Sequence, residues 1–157
     1  MAHSRIQRGD NNKMKNLITL GLAIALAHTA AAQPAKPAPI LPDQIQWSGG
    51  ANGAAQSAMV VGAADKAALY QQRVRMPAGA KIMPHTHPDE RISVVLEGTI
   101  YVGFGEKFDE AAVVAVPTGA VYVAPAGVPH YVWAKDGAAM YQEGGMGPTG
   151  AAFLPTE

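Results

Sequence analysis

The sequence predicts an all-β fold. Between residues 33 and 157, short extended segments alternate with turns rich in glycine and proline about every 8–12 residues, and no segment keeps a helical period. The alternation is clear in residues 69–76, where Tyr70, Val74 and Met76 share one face. Many short strands separated by such turns are typical of a β-sandwich or barrel.

Composition is that of one globular domain. The chain has 157 residues, of which 48% are apolar and 15% charged. Its 12 basic and 12 acidic residues balance, but residues 1–32 hold four basic residues and only one acidic residue, so the remainder is mildly acidic. We therefore expect no nucleic acid as a partner. With no cysteine, any metal must be held by imidazole nitrogen and by oxygen.

Residues 1–32 have the order of a secretory signal peptide. Two lysines precede an apolar run at residues 17–27, and three alanines ending at Ala32 form a small-residue cleavage site. Met14 is a plausible true start. The apolar run is shorter than the ~20 residues that span a bilayer. We therefore expect a periplasmic or secreted protein with no stable membrane anchor after cleavage.

Two further regions follow the leader. Residues 33–47 contain four prolines, a composition that favours extended geometry and predicts a linker or arm. Residues 48–157 are predicted to form the β-barrel domain. Its turns include three Pro-x-Gly sequences that end at Gly79, Gly119 and Gly127. Strands are predicted at 45–47, 58–62, 69–76, 81–87, 91–97, 100–104, 113–116, 121–124, 130–133 and 138–143.

Three histidines are the main candidates for chemistry. His85 and His87 are two residues apart in an extended segment, so their side chains point to the same side of a strand. His130 lies in a second extended segment, directly after the turn that contains Gly127. Imidazoles that converge from two strands are suited to hold one metal ion.

The fourth ligand is open between two residues. Strand parity from His85 onward would turn Arg91 inward with the histidines. Ile92, Val94 and Leu96 share the face of Glu90 instead. Burying an unpaired charge at Arg91 would cost several kcal/mol. This pattern favours Glu90 as a ligand. The alternative is a three-histidine site in which Arg91 could hold an anionic substrate.

These residues resemble the two motifs of the cupin superfamily. The first is Gly79, five residues, His85-Thr-His87 and then Gly98; the second is Gly119, five residues, Pro125-Ala-Gly127, two residues and His130. The second motif of the family ends in asparagine, whereas this chain has Ala134. The resemblance is closest to small secreted single-domain cupins.

The resemblance implies a double-stranded jelly-roll β-barrel with a metal in its mouth. It implies His85, His87, Glu90 and His130 as ligands of a divalent transition metal: Mn, Fe, Ni, Cu or Zn. Arg91, Tyr101 and Gln142 are candidate residues of the substrate pocket.

The expected function is that of a metal-dependent enzyme, such as a dioxygenase, acting on a small organic molecule. The alternatives are a non-catalytic cupin that binds a small molecule or a metal, and a structural dimer with a vestigial site. A homodimer is expected from the resemblance.

Overall fold

The structure is a computed structural model that describes residues 38–155. The predicted signal peptide and the first part of the predicted linker therefore lie outside the described residues. Within the described part of the chain, no helix is long and apolar enough to cross a membrane.

Residues 38–155 form β-strands and two short 3-10 turns, which confirms the expected all-β fold. The 3-10 turns are Pro42–Gln44 and Ala51–Gly53. The strands are β1 (Ser48–Gly49), β2 (Gln56–Val61), β3 (Leu69–Met76), β4 (Lys81–Thr86), β5 (Arg91–Glu97), β6 (Thr99–Phe104), β7 (Val114–Pro117), β8 (Val121–Ala124), β9 (His130–Trp133), β10 (Ala139–Met146) and β11 (Ala152–Phe153).

The strands form two antiparallel sheets. One sheet has the order β1-β2-β3-β10-β5-β8, and the other has the order β11-β4-β9-β6-β7. Because β4 and β5, and likewise β9 and β10, follow each other in sequence but belong to different sheets, the chain crosses repeatedly between the layers. This is the double-sheet arrangement of a jelly roll.

The interior of the barrel is apolar at one end and polar at the other. Along β9, Val132 lies in the apolar core, and His130 points to the same face two residues earlier. Along β10, Tyr141 lies in the core and Glu143 follows it on the same face. The core cluster consists of Val74, Met76, Val95, Ile100, Val102, Val116, Val132, Ala134, Ala139 and Tyr141.

Several strand boundaries differ from the sequence prediction, and the two largest differences are at β1 and β10. The first strand is Ser48–Gly49 rather than residues 45–47, because these two residues pair with the start of β2. The last long strand continues to Met146 instead of ending at residue 143. Gly144 can pair closely with β3 because it has no side chain, and a Cβ there would collide with the side chain of Gln71.

Replacing Gly98 with alanine should destabilise the barrel. Gly98 lies between β5 and β6 with a φ of 69°, and a Cβ there would collide with the carbonyl oxygen of Ala138. Such backbone strain costs about 1–3 kcal/mol. We expect Gly98→Ala to lower the free energy of unfolding, measured by urea titration, by at least about that amount.

Gly137→Ala is the matched control, because no atom lies within 4 Å of a Cβ at Gly137. It should leave the free energy of unfolding within about 0.5 kcal/mol of the parent value. Equal stability of the two variants would contradict the steric argument.

Candidate metal centre

His85, His87 and His130 meet at the polar end of the barrel. Strands β4 and β9 are antiparallel neighbours, and His85 lies directly opposite His130. The ring centroids are 4.4 Å apart for His85 and His130, 4.7 Å for His85 and His87, and 5.0 Å for His87 and His130. One ring nitrogen from each histidine lies within 4.8 Å of the other two. The predicted convergence of three imidazoles from two strands is therefore what the structure shows.

The Nδ1 atom of each histidine is held by a backbone carbonyl oxygen. The distances are 2.8 Å from His85 to Met83, 2.6 Å from His87 to Gly150 and 3.2 Å from His130 to Val128. Because a carbonyl oxygen only accepts hydrogen bonds, each Nδ1 carries the proton. Each Nε2 therefore keeps a free lone pair, as a metal ligand requires.

Burial keeps the three imidazoles neutral at pH 7. It lowers the pKa of His85 from the usual 6.5 to about 4, and it lowers that of His87 to about 4 with a further contribution from the charge of Arg91. Burial also lowers the pKa of His130. Three neutral nitrogen donors fit a divalent transition metal, whereas Mg²⁺ and Ca²⁺ favour oxygen.

Glu90 does not join the three histidines, which corrects its prediction as a metal ligand. Its side chain is exposed and lies outside the group of converging ligand atoms. Arg91 is turned inward instead and is only 4% exposed. The apolar residue Ile92, expected inside, is 59% exposed on the outer face of β5. Strand parity, and not the apolar pattern, sets the orientation of β5.

The charge of Arg91 is paired, contrary to the expectation that it would be buried without a partner. Its Nη1 lies 2.7 Å from Glu143 Oε1 in an ion pair whose two side chains are each 5% exposed. Its Nη2 donates to the Thr149 hydroxyl at 2.6 Å and to the Gly150 carbonyl at 2.9 Å. Asp89 Oδ1 is 3.8 Å from Nε. Arg91 is therefore buried with its charge balanced.

Further polar side chains complete this network. Tyr70 donates to Asp89 Oδ2 at 2.5 Å, and Thr149 donates to Asp89 Oδ1 at 2.7 Å. Burial and the bond to Asp89 raise the pKa of Tyr70 to about 12, so its hydroxyl is a neutral donor at pH 7. Glu143 also accepts from Ser93 and Gln72. The network joins β3, β5 and β10 beside the histidines.

Tyr101 and Gln142 lie on the outer surface of the barrel, which corrects their prediction as pocket residues. The Tyr101 hydroxyl donates to Asp136, and its ring lies 6.5 Å from that of Trp133. Gln142 accepts a hydrogen bond from Arg73 at 2.9 Å. Successive side chains of a strand point to opposite faces, and the next residues, Val102 and Glu143, point inward. Tyr101 and Gln142 therefore point outward.

Sequence reasoning missed Glu143, a buried carboxylate that lines the cavity. It lies two residues after the buried Tyr141, in a strand that otherwise contains small or apolar inward residues. The alternation of side chains along the strand was the available signal. Gln142 and Glu143 are adjacent, so only one of them can face inward with Tyr141, and that residue is Glu143.

A cavity of about 350 Å³ opens beside the metal centre. Its polar wall contains His85, His87, Arg91, Glu143 and Gln72. Its lining also includes the apolar side chains of Val74, Ile82 and Phe153. This volume and this mixed lining are typical of a site for a small organic molecule.

The fold and the site together define a class of protein: a jelly-roll barrel with a candidate metal site of three histidines in its interior. A comparison with protein families identifies residues 72–141 as a cupin domain. This match covers just under half of the chain and supports a relation to the cupin superfamily. The predicted resemblance is thus confirmed. No match was found among curated protein sequences.

Solved structures support the same fold. An RmlC-like cupin from Shewanella frigidimarina is 16% identical and has a TM-score of 0.56, with 68% of this chain and 87% of that chain covered. KdgF from Halomonas sp. is 22% identical with a TM-score of 0.54, covering 66% and 89%. Salicylate 1,2-dioxygenase from Pseudoaminobacter salicylatoxidans is 17% identical with a TM-score of 0.55, covering 68% and 30%. These identities show a shared fold only.

The buried histidines should make the metal-free protein sensitive to mild acid. The folded state holds His85 and His87 with pKa values near 4, below the usual 6.5, so the unfolded chain binds more protons between these values. We therefore expect the free energy of unfolding to fall as the pH is lowered from 6.5 to about 4. The measurement is a series of urea titrations at different pH values.

His85→Gln should make this pH dependence shallower, because one group that takes up a proton on unfolding is removed. An unchanged slope in the variant would argue against His85 as a source of the acid sensitivity.

Proposed function

We propose that this chain is an exported cupin whose three histidines bind a divalent transition metal and present it to a small organic molecule. The convergence of three neutral imidazoles, each with its Nδ1 bonded to a carbonyl, carries the proposal. Export rests on the leader-like sequence at residues 1–32. The adjacent cavity supports a small molecule as the ligand.

The chemistry supplied by such a metal would be Lewis-acid or oxygen chemistry, as in a dioxygenase. The chain's own residues would hold and surround the reactants. The histidines would supply the ligand atoms, and the apolar side chains of Ile82 and Phe153, which also line the cavity, would contact the organic part of a bound molecule. Arg91 is an unsuitable clamp for an anionic substrate, since its charge is already balanced by Glu143 and Asp89.

A non-catalytic binding protein is the second candidate. One observation favours it: Glu143, the carboxylate that lines the cavity, already accepts hydrogen bonds from Arg91, Gln72 and Ser93. Because both of its oxygens already accept hydrogen bonds, this carboxylate is poorly placed to act on a bound molecule.

Metal content tests the proposed ligands. We expect His85→Ala and His130→Ala to lose stoichiometric metal, because two neutral nitrogen donors bind weakly compared with three. Glu90→Gln should keep the wild-type content, since Glu90 is exposed and apart from the cluster. The measurement is elemental analysis of protein purified from its own compartment, with circular dichroism as a check of the β fold.

Metal retained in both histidine variants would contradict the assignment. Loss of metal in Glu90→Gln would instead indicate that the Glu90 carboxylate is a metal ligand.

Oxygen uptake separates the two functions. If the chain is an oxygenase, metal-loaded protein should consume oxygen with a member of a panel of phenols and organic acids, and His85→Ala should not. Saturable binding of a panel member, measured by isothermal titration calorimetry, without oxygen uptake would favour the binding protein.

The expected homodimer remains a prediction, and an apolar strip on the outer surface supports it. Ile92 on β5 and Val123 on β8 are paired neighbours that are 59% and 44% exposed, and Val121 is 58% exposed. We propose that a second copy covers this strip. Sedimentation should show a dimer that Val121→Glu weakens, whereas a wild-type monomer would contradict the proposal.

A further inference from the structure

His87 differs from the other two histidines in how its ring is held. The Nδ1 atoms of His85 and His130 bond to carbonyl oxygens only two residues earlier in the chain. The Nδ1 of His87 bonds to the carbonyl oxygen of Gly150, 63 residues away, at 2.6 Å. Local backbone therefore orients two of the rings, while the third depends on a distant segment.

That distant segment is held in place by Arg91. The Arg91 Nη2 donates to the same Gly150 carbonyl at 2.9 Å and to the hydroxyl of Thr149 at 2.6 Å. The Thr149 hydroxyl in turn donates to Asp89 Oδ1 at 2.7 Å. Arg91 is itself fixed by its ion pair with Glu143 at 2.7 Å. The carbonyl that faces His87 thus belongs to a part-buried hydrogen-bond network that is anchored by the buried side chains of Arg91 and Glu143.

The residues after Gly150 are tied to the strand that carries the histidines. Strand β11 pairs with β4, with Phe153 opposite His85, and their rings lie 5.3 Å apart. The Leu154 amide donates to the Pro84 carbonyl at 2.9 Å. Backbone contacts at residues 84–86 therefore hold this segment against β4.

We propose that Arg91 is a positioning residue of the metal centre. Its guanidinium holds the Gly150 carbonyl, and this carbonyl keeps the proton of His87 on Nδ1 and the free Nε2 turned toward His85 and His130. The inference rests on the proposed metal function. Lysine cannot replace Arg91 in this role, because a single ammonium group lacks the planar set of N–H donors that binds Glu143, Thr149 and Gly150 together.

The first test uses metal-free, full-length protein labelled with ¹⁵N. Long-range ¹H–¹⁵N NMR correlations report which ring nitrogen of each histidine carries the proton. In the wild type we expect the Nδ1–H form for all three histidines. In Arg91→Lys, His87 should acquire a measurable fraction of the Nε2–H form, whereas His85 and His130 should not change.

Arg73→Lys is the matched control, because Arg73 lies on the outer face and bonds to Gln142. It should leave all three histidines unchanged. A wild-type His87 protonated on Nε2 would overturn the proposal. An Arg91→Lys variant with an unchanged His87, or with the same change in all three histidines, would overturn it as well.

The second test is a titration with Co²⁺ followed by its visible absorption. Loss of a group that orients a ligand histidine typically weakens metal binding by about 10–100-fold. We expect a loss of that size for Arg91→Lys and wild-type affinity for Arg73→Lys. Wild-type affinity in folded Arg91→Lys would overturn the proposal.

Thr149→Val covers the case in which Arg91→Lys does not fold, since it removes only the hydroxyl that bonds to Arg91 and Asp89. It should change the His87 tautomer and weaken Co²⁺ binding, and Thr149→Ser should restore both. An unchanged His87 in Thr149→Val would then overturn the proposal. A wild-type protein that takes up no Co²⁺ defeats the proposed function, while the NMR test still decides the role of Arg91.

Discussion

The buried ion pair between Arg91 and Glu143 is the interaction on which the polar end of the barrel depends. It joins neighbouring strands β5 and β10 at a place where both side chains are 5% exposed. Each charge would be strongly destabilising alone, because removing one partner of such a pair costs about 3–5 kcal/mol. Together they allow β5 to turn Arg91 inward and Ile92 outward, and this orientation gives the site a guanidinium in place of a ligand carboxylate.

The division of the interior into an apolar end and a polar end follows from the same strands. On β9 and β10, residues two apart share the inward face, but one lies in the apolar core and the other lies in the site. Val132 and His130 are one such pair, and Tyr141 and Glu143 are another. The rigid core cluster therefore supports the site directly. Ligands carried on strands of a packed barrel are placed more accurately than ligands on loops.

The histidines could be predicted from the sequence because their placement depends on short-range rules. A spacing of two residues fixes a shared face for His85 and His87, and the turn before His130 starts the neighbouring strand. The orientation of Arg91 depended on a partner 52 residues away, and nothing local to β5 indicates that partner. The outward apolar residues of β5 gave the opposite signal, because exposed Ile92 looks like a core residue in the sequence.

Although Arg91 faces inward where a ligand carboxylate was expected, the total charge around the site stays close to that of a site with one carboxylate ligand. Asp89 and Glu143 contribute two carboxylates, and the guanidinium of Arg91 balances one of them. The difference is the position of the negative charge, which lies beside the histidines instead of among the converging ligand atoms. A metal bound by three neutral imidazoles keeps more of its charge for an incoming oxygen atom than one also bound by a carboxylate, because ligand charge neutralises it directly. The inward position of Arg91 thus keeps a carboxylate out of the converging ligand atoms and orients His87 through Gly150, so one side chain accounts for both features of the site.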